Sequence, residues 1–373
     1  MSGGRRAGDR GLKRSSRRLF RDWTEGRRSP GLFCFAALAR PASWLYRAAM
    51  IIDQGRRRIF PPLSRASLIV VSSPLVGGTG KTPLAAHLAR RLQERGLTPG
   101  LVTKGYGRRA HGTFVVDESG SEPPVAAVGD EALMLWRETR IPVHVGDEPA
   151  DVIARLDEAG RHRAIIFDDG VSRRWQGERR IVVLSPRDCT SPVRYLPFGR
   201  WRVRPQTVAQ ATYVAIVSAT VCDDAMCERH RLALRGWGFT GPVAWYRTQS
   251  AGFARVGSED VREAETVPSG PPYVFCGLGA PSRFLEHLEA YGVTPAGVMC
   301  YPDHHAYTRD DLADLVQSCR RSRSDWLLTT HKDAVKIDPS WTSDIPVYVL
   351  RLTLDLIAGD DLADVVATGA ENS

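Results

Sequence analysis

Val76-Gly77-Gly78-Thr79-Gly80-Lys81-Thr82-Pro83 follows the apolar run Ser67-Leu68-Ile69-Val70-Val71 and leads into a helix-like stretch from Leu84 to Arg95. A buried strand that delivers the chain into a glycine-rich turn, with a helix starting at once, turns backbone N–H groups and the positive helix end toward an anion. This order of strand, loop and helix predicts a phosphate-binding loop over Leu75, Val76, Gly77, Gly78, Thr79, Gly80, Lys81 and Thr82. Lys81 reaches the β- and γ-phosphates of a nucleoside triphosphate, and the Thr82 hydroxyl is a ligand for Mg²⁺. The usual first glycine of such a loop is Leu75 here, so the match is carried by Gly80-Lys81-Thr82.

The chain has 373 residues, 43% hydrophobic and 25% charged, which is enough for two or three folded units. Seven cysteines stand singly, with no paired spacing, which favours reduced thiols over a disulfide framework. Cys222 and Cys227 have no second ligand pair at zinc-site spacing. The net charge of +9 is concentrated at one end: residues 1–65 hold 16 Lys/Arg against 4 Asp/Glu, whereas 66–373 hold 35 against 38. With an acidic body and no basic stripe, nucleic acid is not the expected partner.

Within the basic segment, Gly31 to Ala39 is apolar, Arg40-Pro41 interrupts it, and Trp44 to Ile52 resumes. Neither run approaches the ~20 residues that a spanning helix needs. The reading is a basic tail over 1–28 and an amphipathic, membrane-associating helical segment over 29–65. Arg17, Arg18, Arg27, Arg28, Arg56, Arg57 and Arg58 would flank it against an anionic membrane surface, with Trp44 and Tyr46 at headgroup depth. The alternative is a disordered tail followed by a helix docked on the main body.

From residue 66 the chain alternates apolar runs with helical stretches, as a parallel α/β sheet does. Strands are expected at 67–73, 100–103, 141–145, 164–167, 181–184 and 213–217, with helices at 82–95, 130–138, 149–159 and 223–234. This gives a P-loop nucleotide-binding domain over 66–236. Gly, Pro and Ser then rise, and Val243–Thr248 with Gly252–Val256 reads as a β-hairpin linker within 237–270. A second, smaller α/β domain follows over 271–373.

Ala164-Ile165-Ile166-Phe167-Asp168-Asp169-Gly170 carries two carboxylates to the C-terminal end of a strand, where ligands of open α/β sheets sit. Taken alone, Asp-Asp-Gly after a strand is a turn. Beside Lys81, the pair Asp168 and Asp169 reads as the acidic partner of Thr82 in holding Mg²⁺.

Further clusters are Lys104-Gly105-Tyr106-Gly107, Val128-Gly129-Asp130-Glu131-Ala132, Phe275-Cys276-Gly277-Leu278-Gly279-Ala280-Pro281-Ser282-Arg283-Phe284, Tyr301-Pro302-Asp303-His304-His305 and Leu328-Thr329-Thr330-His331-Lys332-Asp333-Ala334-Val335-Lys336. In this order the set resembles the tetraacyldisaccharide 4′-kinase family, the lipid A kinases, from about Ser29 to about residue 350. The resemblance implies transfer of the γ-phosphate of ATP to the 4′-hydroxyl of an acylated glucosamine disaccharide 1-phosphate, at the cytoplasmic face of the bacterial inner membrane. It further implies that Asp130 is the catalytic base and His304 the residue that orients it, with Lys81 on the phosphates. Without the resemblance, Asp130 reads equally as a helix cap, and His304 and His305 as a metal site or satisfied loop histidines.

The chain also departs from the family pattern near these clusters. Ser72-Ser73 replace Gly-Asn, Val171-Ser172-Arg173 replace a hydrophobic residue followed by Gln-His, and Lys104 replaces Arg. Arg200-Trp201-Arg202-Val203 replace Pro-Leu-Arg-Glu, and His331 replaces Glu. A working kinase with an altered acceptor pocket or adenine surround is expected. Two other readings stay open: an ATP-binding membrane scaffold without transferase activity, and a partition-type P-loop ATPase.

Overall fold

The computed structural model describes residues 59–120, 122–170, 173–196, 199–257, 267–279, 281–342, 344–364 and 366. The basic tail and most of the amphipathic segment therefore lie outside the described residues, as do Val171, Ser172 and Ala280. No described helix is long and apolar enough to cross a membrane.

Along the chain the strands are β1 (Ile59–Phe60), β2 (Ser67–Ser72), β3 (Pro99–Thr103), β4 (Phe114–Val116), β5 (Val143–Val145), β6 (Ala164–Asp168), β7 (Arg174–Trp175), β8 (Arg179–Leu184), β9 (Tyr213–Ser218), β10 (Val243–Arg255), β11 (Tyr273–Cys276), β12 (Gly297–Cys300), β13 (Leu327–Thr329) and β14 (Val347–Ala358). The α-helices are α1 (Lys81–Glu94), α2 (Val125–Val128), α3 (Asp130–Thr139), α4 (Pro149–Ala159), α5 (Pro186–Thr190), α6 (Asp224–Gly236), α7 (Pro281–Ala290), α8 (Arg309–Arg321) and α9 (His331–Ala334).

Twelve strands form one mixed sheet in the order β12-β11-β13-β14-β10-β9-β8-β2-β6-β3-β5-β4, while β1 and β7 pair separately. Strand β2 reads as an unbroken apolar run because both of its faces are covered: Ile69, Val70 and Val71 are fully buried. Each such side chain contributes about 1.5–3 kcal/mol of transfer free energy. Ile69 and Val71 pack with Leu84, Leu88 and Leu92 of α1, whereas Val70 packs on the other face with Phe167 and Trp175. β2 lies between β6 and β8, so the loop that leaves it stands beside the end of β6.

The expected hairpin linker is not what forms. Val243–Arg255 is one strand, and its antiparallel partner is β14. Val243 to Arg247 pair in parallel with β9, after which the strand runs on into the C-terminal half, where Phe253, Ala254 and Arg255 oppose Leu350, Val349 and Tyr348. Gly252, with φ of 91°, suggests a hairpin turn in sequence but occupies an irregularity in the ladder between Ser250 and Phe253. A glycine inside a strand marks a bulge as readily as a turn. The two half-sheets, parallel but for β4 at one edge, are thus joined by an antiparallel two-strand ribbon. Beyond it the chain returns to the first half, where Leu362, Ala363 and Val366 join the core around α1.

Asp157, on α4, fixes the chain just before it enters β2. Its carboxylate accepts from Ser64 N at 2.7 Å, Ser64 Oγ at 2.9 Å, Arg65 N at 2.8 Å and Ala66 N at 2.9 Å. Burial alone raises its pKa, but these donors outweigh burial and hold the carboxyl below its ordinary value. Asp157→Ala leaves three backbone donors unpaired and should lower unfolding stability by about 2–3 kcal/mol, read from urea midpoints at pH 7. Because the folded pKa is depressed, the contribution is present above the unfolded-state pKa and is lost as pH falls through the folded one. A wild-type midpoint for Asp157→Ala would show that these bonds add nothing to the fold.

Candidate functional site

The loop after β2 is braced from one side by residues 200–203. Val76 N donates to Arg200 O at 2.8 Å, and Arg200 Nε donates to Val76 O at 3.2 Å. Leu75 forms a bridge with Trp201 and sinks into the same core cluster. A side chain here anchors the loop, where a glycine could not.

Lys81 and Thr82 open α1. Thr82 Oγ1 donates to Asp168 Oδ2 at 2.8 Å, and Lys81 Nζ lies 3.8 Å from Asp169 Oδ1. The juxtaposition follows from register: Val71, near the end of β2, pairs with Asp168 at the end of β6. Asp168 is 2% exposed, and its Oδ1 has no hydrogen-bond partner among the described residues. Burial, reinforced by Glu131, pushes its carboxyl up to about 7. Asp169 has a left-handed backbone, φ 66°, and a bidentate partner in Arg202. Burial opposes its ionisation, but Lys81 and Arg202 keep it below the usual carboxylate range. Thr79 Oγ1 is also buried and lacks a partner among the described residues.

A second cluster assembles across the two halves of the molecule. Asp130 is the first residue of α3 and follows Gly129, so it is not the cap residue itself. His304 Nδ1 lies 3.0 Å from Asp130 Oδ2 and 3.2 Å from Oδ1. Lys332 Nζ lies 3.1 Å from His304 Nε2 and 3.1 Å from Asp303 Oδ1, and Lys336 Nζ lies 3.7 Å from Asp130 Oδ2. An ammonium that donates to Nε2 leaves Nδ1–H to donate to Asp130, which fixes the imidazole tautomer. The Asp130 hydrogen bond, against burial, raises the His304 pKa. Burial raises that of Asp130, yet the His304 bond together with Lys332 and Lys336 brings it below its ordinary value.

The Tyr106 ring stacks on His304, centroids 5.3 Å apart. Two glycines allow this approach: a Cβ on Gly129 would come within 2.8 Å of the Gly105 and Tyr106 backbone, and one on Gly105 within 2.5 Å of Val128 O. Lys104-Gly105-Tyr106-Gly107 is therefore both a tight turn and part of the site. His305 turns away, with Nε2 3.1 Å from Asp311 and its ring stacked on Tyr301, and no three-ligand metal cluster occurs among the described residues.

Glu131 joins the two clusters. Burial raises its pKa, and it feels the charges of Lys332, Asp130 and Asp169. Of the sequence departures, Lys104 is partly buried near Asp169, and burial lowers its pKa. His331 is held neutral, pushed down to about 4 by burial and by Arg351 and Arg90. Lys332, Lys336, Glu131 and Arg202 carry no site motif that singles them out in sequence. The i,i+4 spacing of the two lysines was the signal available for them.

The family profile described as Tetraacyldisaccharide-1-P 4′-kinase matches residues 35–370. A tetraacyldisaccharide 4′-kinase of Halorhodospira halophila is 35% identical over 301 residues, covering 79% of this chain and 82% of its own. One from Dechloromonas aromatica is 31% identical over 351 residues, covering 92% and 96%. Among solved structures, the "apo" form of LpxK from Aquifex aeolicus in complex with ATP aligns with a TM-score of 0.63 at 20% identity, over 90% of this chain and 98% of that one, and so shares the fold. With a family match spanning most of its length, the chain belongs to the tetraacyldisaccharide 4′-kinase family.

Proposed function

We propose that the protein transfers the γ-phosphate of ATP to the 4′-hydroxyl of a tetraacylated glucosamine disaccharide 1-phosphate, in lipid A biosynthesis. The observation that carries this reading is the Asp130–His304 contact, 3.0 Å, built from two halves of the chain beside the Lys81 loop. A partition-type ATPase has no need of such a dyad, and a scaffold has no need to keep it.

The geometry supports the following roles. Residues 75–82 cradle the triphosphate, with Lys81 neutralising charge on its terminal phosphates. The unpartnered Asp168 Oδ1 beside the Thr82 hydroxyl suits a hard cation, so Thr82, Asp168 and Asp169 would hold Mg²⁺, which supplies charge neutralisation of the phosphates when bound. The 4′-oxygen attacks the γ-phosphorus, an O–P bond forms, and the bond to the β–γ bridging oxygen breaks as ADP leaves. The hydroxyl proton passes to the Asp130 carboxylate, which His304 orients. The working division is a nucleotide-binding unit over 66–236, a linker over 237–270 and a second unit over 271–373 that brings His304 and Lys332. Labelled ATP offered with a panel of acylated glucosamine disaccharides tests the reading, and transfer to none of them would contradict it.

Residues 29–65 place the enzyme on an anionic membrane surface in this reading, as a peripheral protein of the cytoplasmic face. The intact chain should co-sediment with anionic vesicles and be released only partly by salt, since apolar burial survives screening. A chain starting at Ser64 should lose most of that binding. Equal binding by both would move the membrane contact to the main body.

A further inference from the structure

Arg283, on the first turn of α7, reaches from the C-terminal half to the phosphate loop and donates to the Gly78 carbonyl. Its Nη2 lies 3.3 Å from Ser185 Oγ and 3.5 Å from Asp188 Oδ1. That carboxylate is already engaged. Its Oδ1 accepts from Arg200 Nη1 at 2.7 Å, and its Oδ2 accepts from Ser185 N at 2.9 Å and Ser185 Oγ at 2.7 Å. Two guanidinium groups therefore share one carboxylate at the rim of the loop. Arg200 Nη2 is buried and has no hydrogen-bond partner among the described residues. Burial, and then the neighbouring Arg200 charge, pushes Arg283 down to about 10. A Cβ added to Gly78 meets nothing within 4 Å, so the loop is open on that side.

We propose that Arg283 is a cis-acting arginine finger: with a nucleoside triphosphate in the loop, its guanidinium contacts the terminal phosphate oxygens, and Asp188, which Arg200 also grips, steadies it from the other side. The inference rests on the kinase reading above. A neutral carbonyl is a weaker acceptor than a phosphate, which takes two charge-assisted bonds from one guanidinium. The surplus positive charge around Asp188 is costly while desolvated and is relieved by an anion at the loop. Charge spreads over the transferring phosphoryl group and the bridging oxygen during reaction, so a guanidinium placed there lowers the barrier. Arg283 and His304 also belong to the same half, so the approach that brings the base partner brings the finger.

The test uses the full-length chain with Arg283→Gln and Arg283→Lys. For Arg283→Gln, kcat should fall by about 10²- to 10³-fold. A non-hydrolysable ATP analogue should bind about tenfold more weakly, while ADP affinity stays within about twofold. Arg283→Lys keeps the buried charge beside Asp188, so it serves if the Gln protein does not fold. Its kcat should still fall by about tenfold, because an ammonium lacks the two-pronged geometry. Wild-type kcat in either folded variant, or equal weakening of ADP and analogue, overturns the proposal while leaving the kinase reading standing. A wild-type protein that transfers no phosphate overturns the kinase reading and this inference with it.

Discussion

Lys81→Ala protein should fold normally and transfer phosphate at least ~10²-fold more slowly than wild type. The fold survives because α1 is held by Leu84, Leu88 and Leu92, all fully buried, and not by the lysine head group. The rate falls because Lys81 is the cation that α1 itself presents beside the acidic pair, 3.8 Å from Asp169. Without it, Asp169 keeps Arg202 but the terminal phosphates lose their nearest neutralising charge from the loop. Steady-state transfer with circular dichroism of the same sample makes the comparison. A folded Lys81→Ala protein at the wild-type rate would remove the phosphate-loop assignment.

The second large effect is expected at the dyad. Asp130→Asn should reduce kcat by about 10³-fold while ATP binding persists, since in the proposed mechanism the carboxylate serves the acceptor hydroxyl and not the nucleotide. His304→Ala should cost less, because the imidazole acts by orienting Asp130 and by sharing its charge. The double variant should be barely slower than Asp130→Asn alone, as two groups acting as a unit are strongly non-additive. Lys332 and Lys336 would still surround the substituted amide in these proteins, so collapse of the pocket is not the expected cause of the loss. Fully additive losses in the cycle would detach His304 from Asp130 and leave two independent roles.

The readable parts of this site are those whose chemistry is local in sequence. Gly80-Lys81-Thr82 and the Asp168-Asp169 strand end are each continuous, and the sheet brings them together through the register of β2 on β6, which sets Val71 opposite Asp168. The nucleotide-side strands show in sequence because β2, β6 and β9 are buried on both faces and read as apolar runs. The linker was misread for the opposite reason. The antiparallel partner of β10 is β14, far along the chain, and no local pattern states which strand a bulged strand will choose. Arg202 and Arg283 were equally invisible as site residues. Arg202 keeps the arginine of the family pattern while its neighbours depart from it, and its meeting with Asp169 depends on how the segment after α5 folds back over the loop. The role of Lys332 likewise becomes visible only when α9 is seen to pack beside α3, which carries Asp130 and Glu131.

Transfer itself is the most direct test of the kinase assignment. Purified full-length protein would be incubated with ATP, Mg²⁺ and a tetraacylated glucosamine disaccharide 1-phosphate, and the lipid product examined by proton–phosphorus correlation NMR. The predicted result is a second phosphomonoester whose phosphorus correlates with the proton at carbon 4′, formed in step with ADP. ADP and free phosphate with an unmodified lipid, or a phosphate on any other hydroxyl, would contradict it.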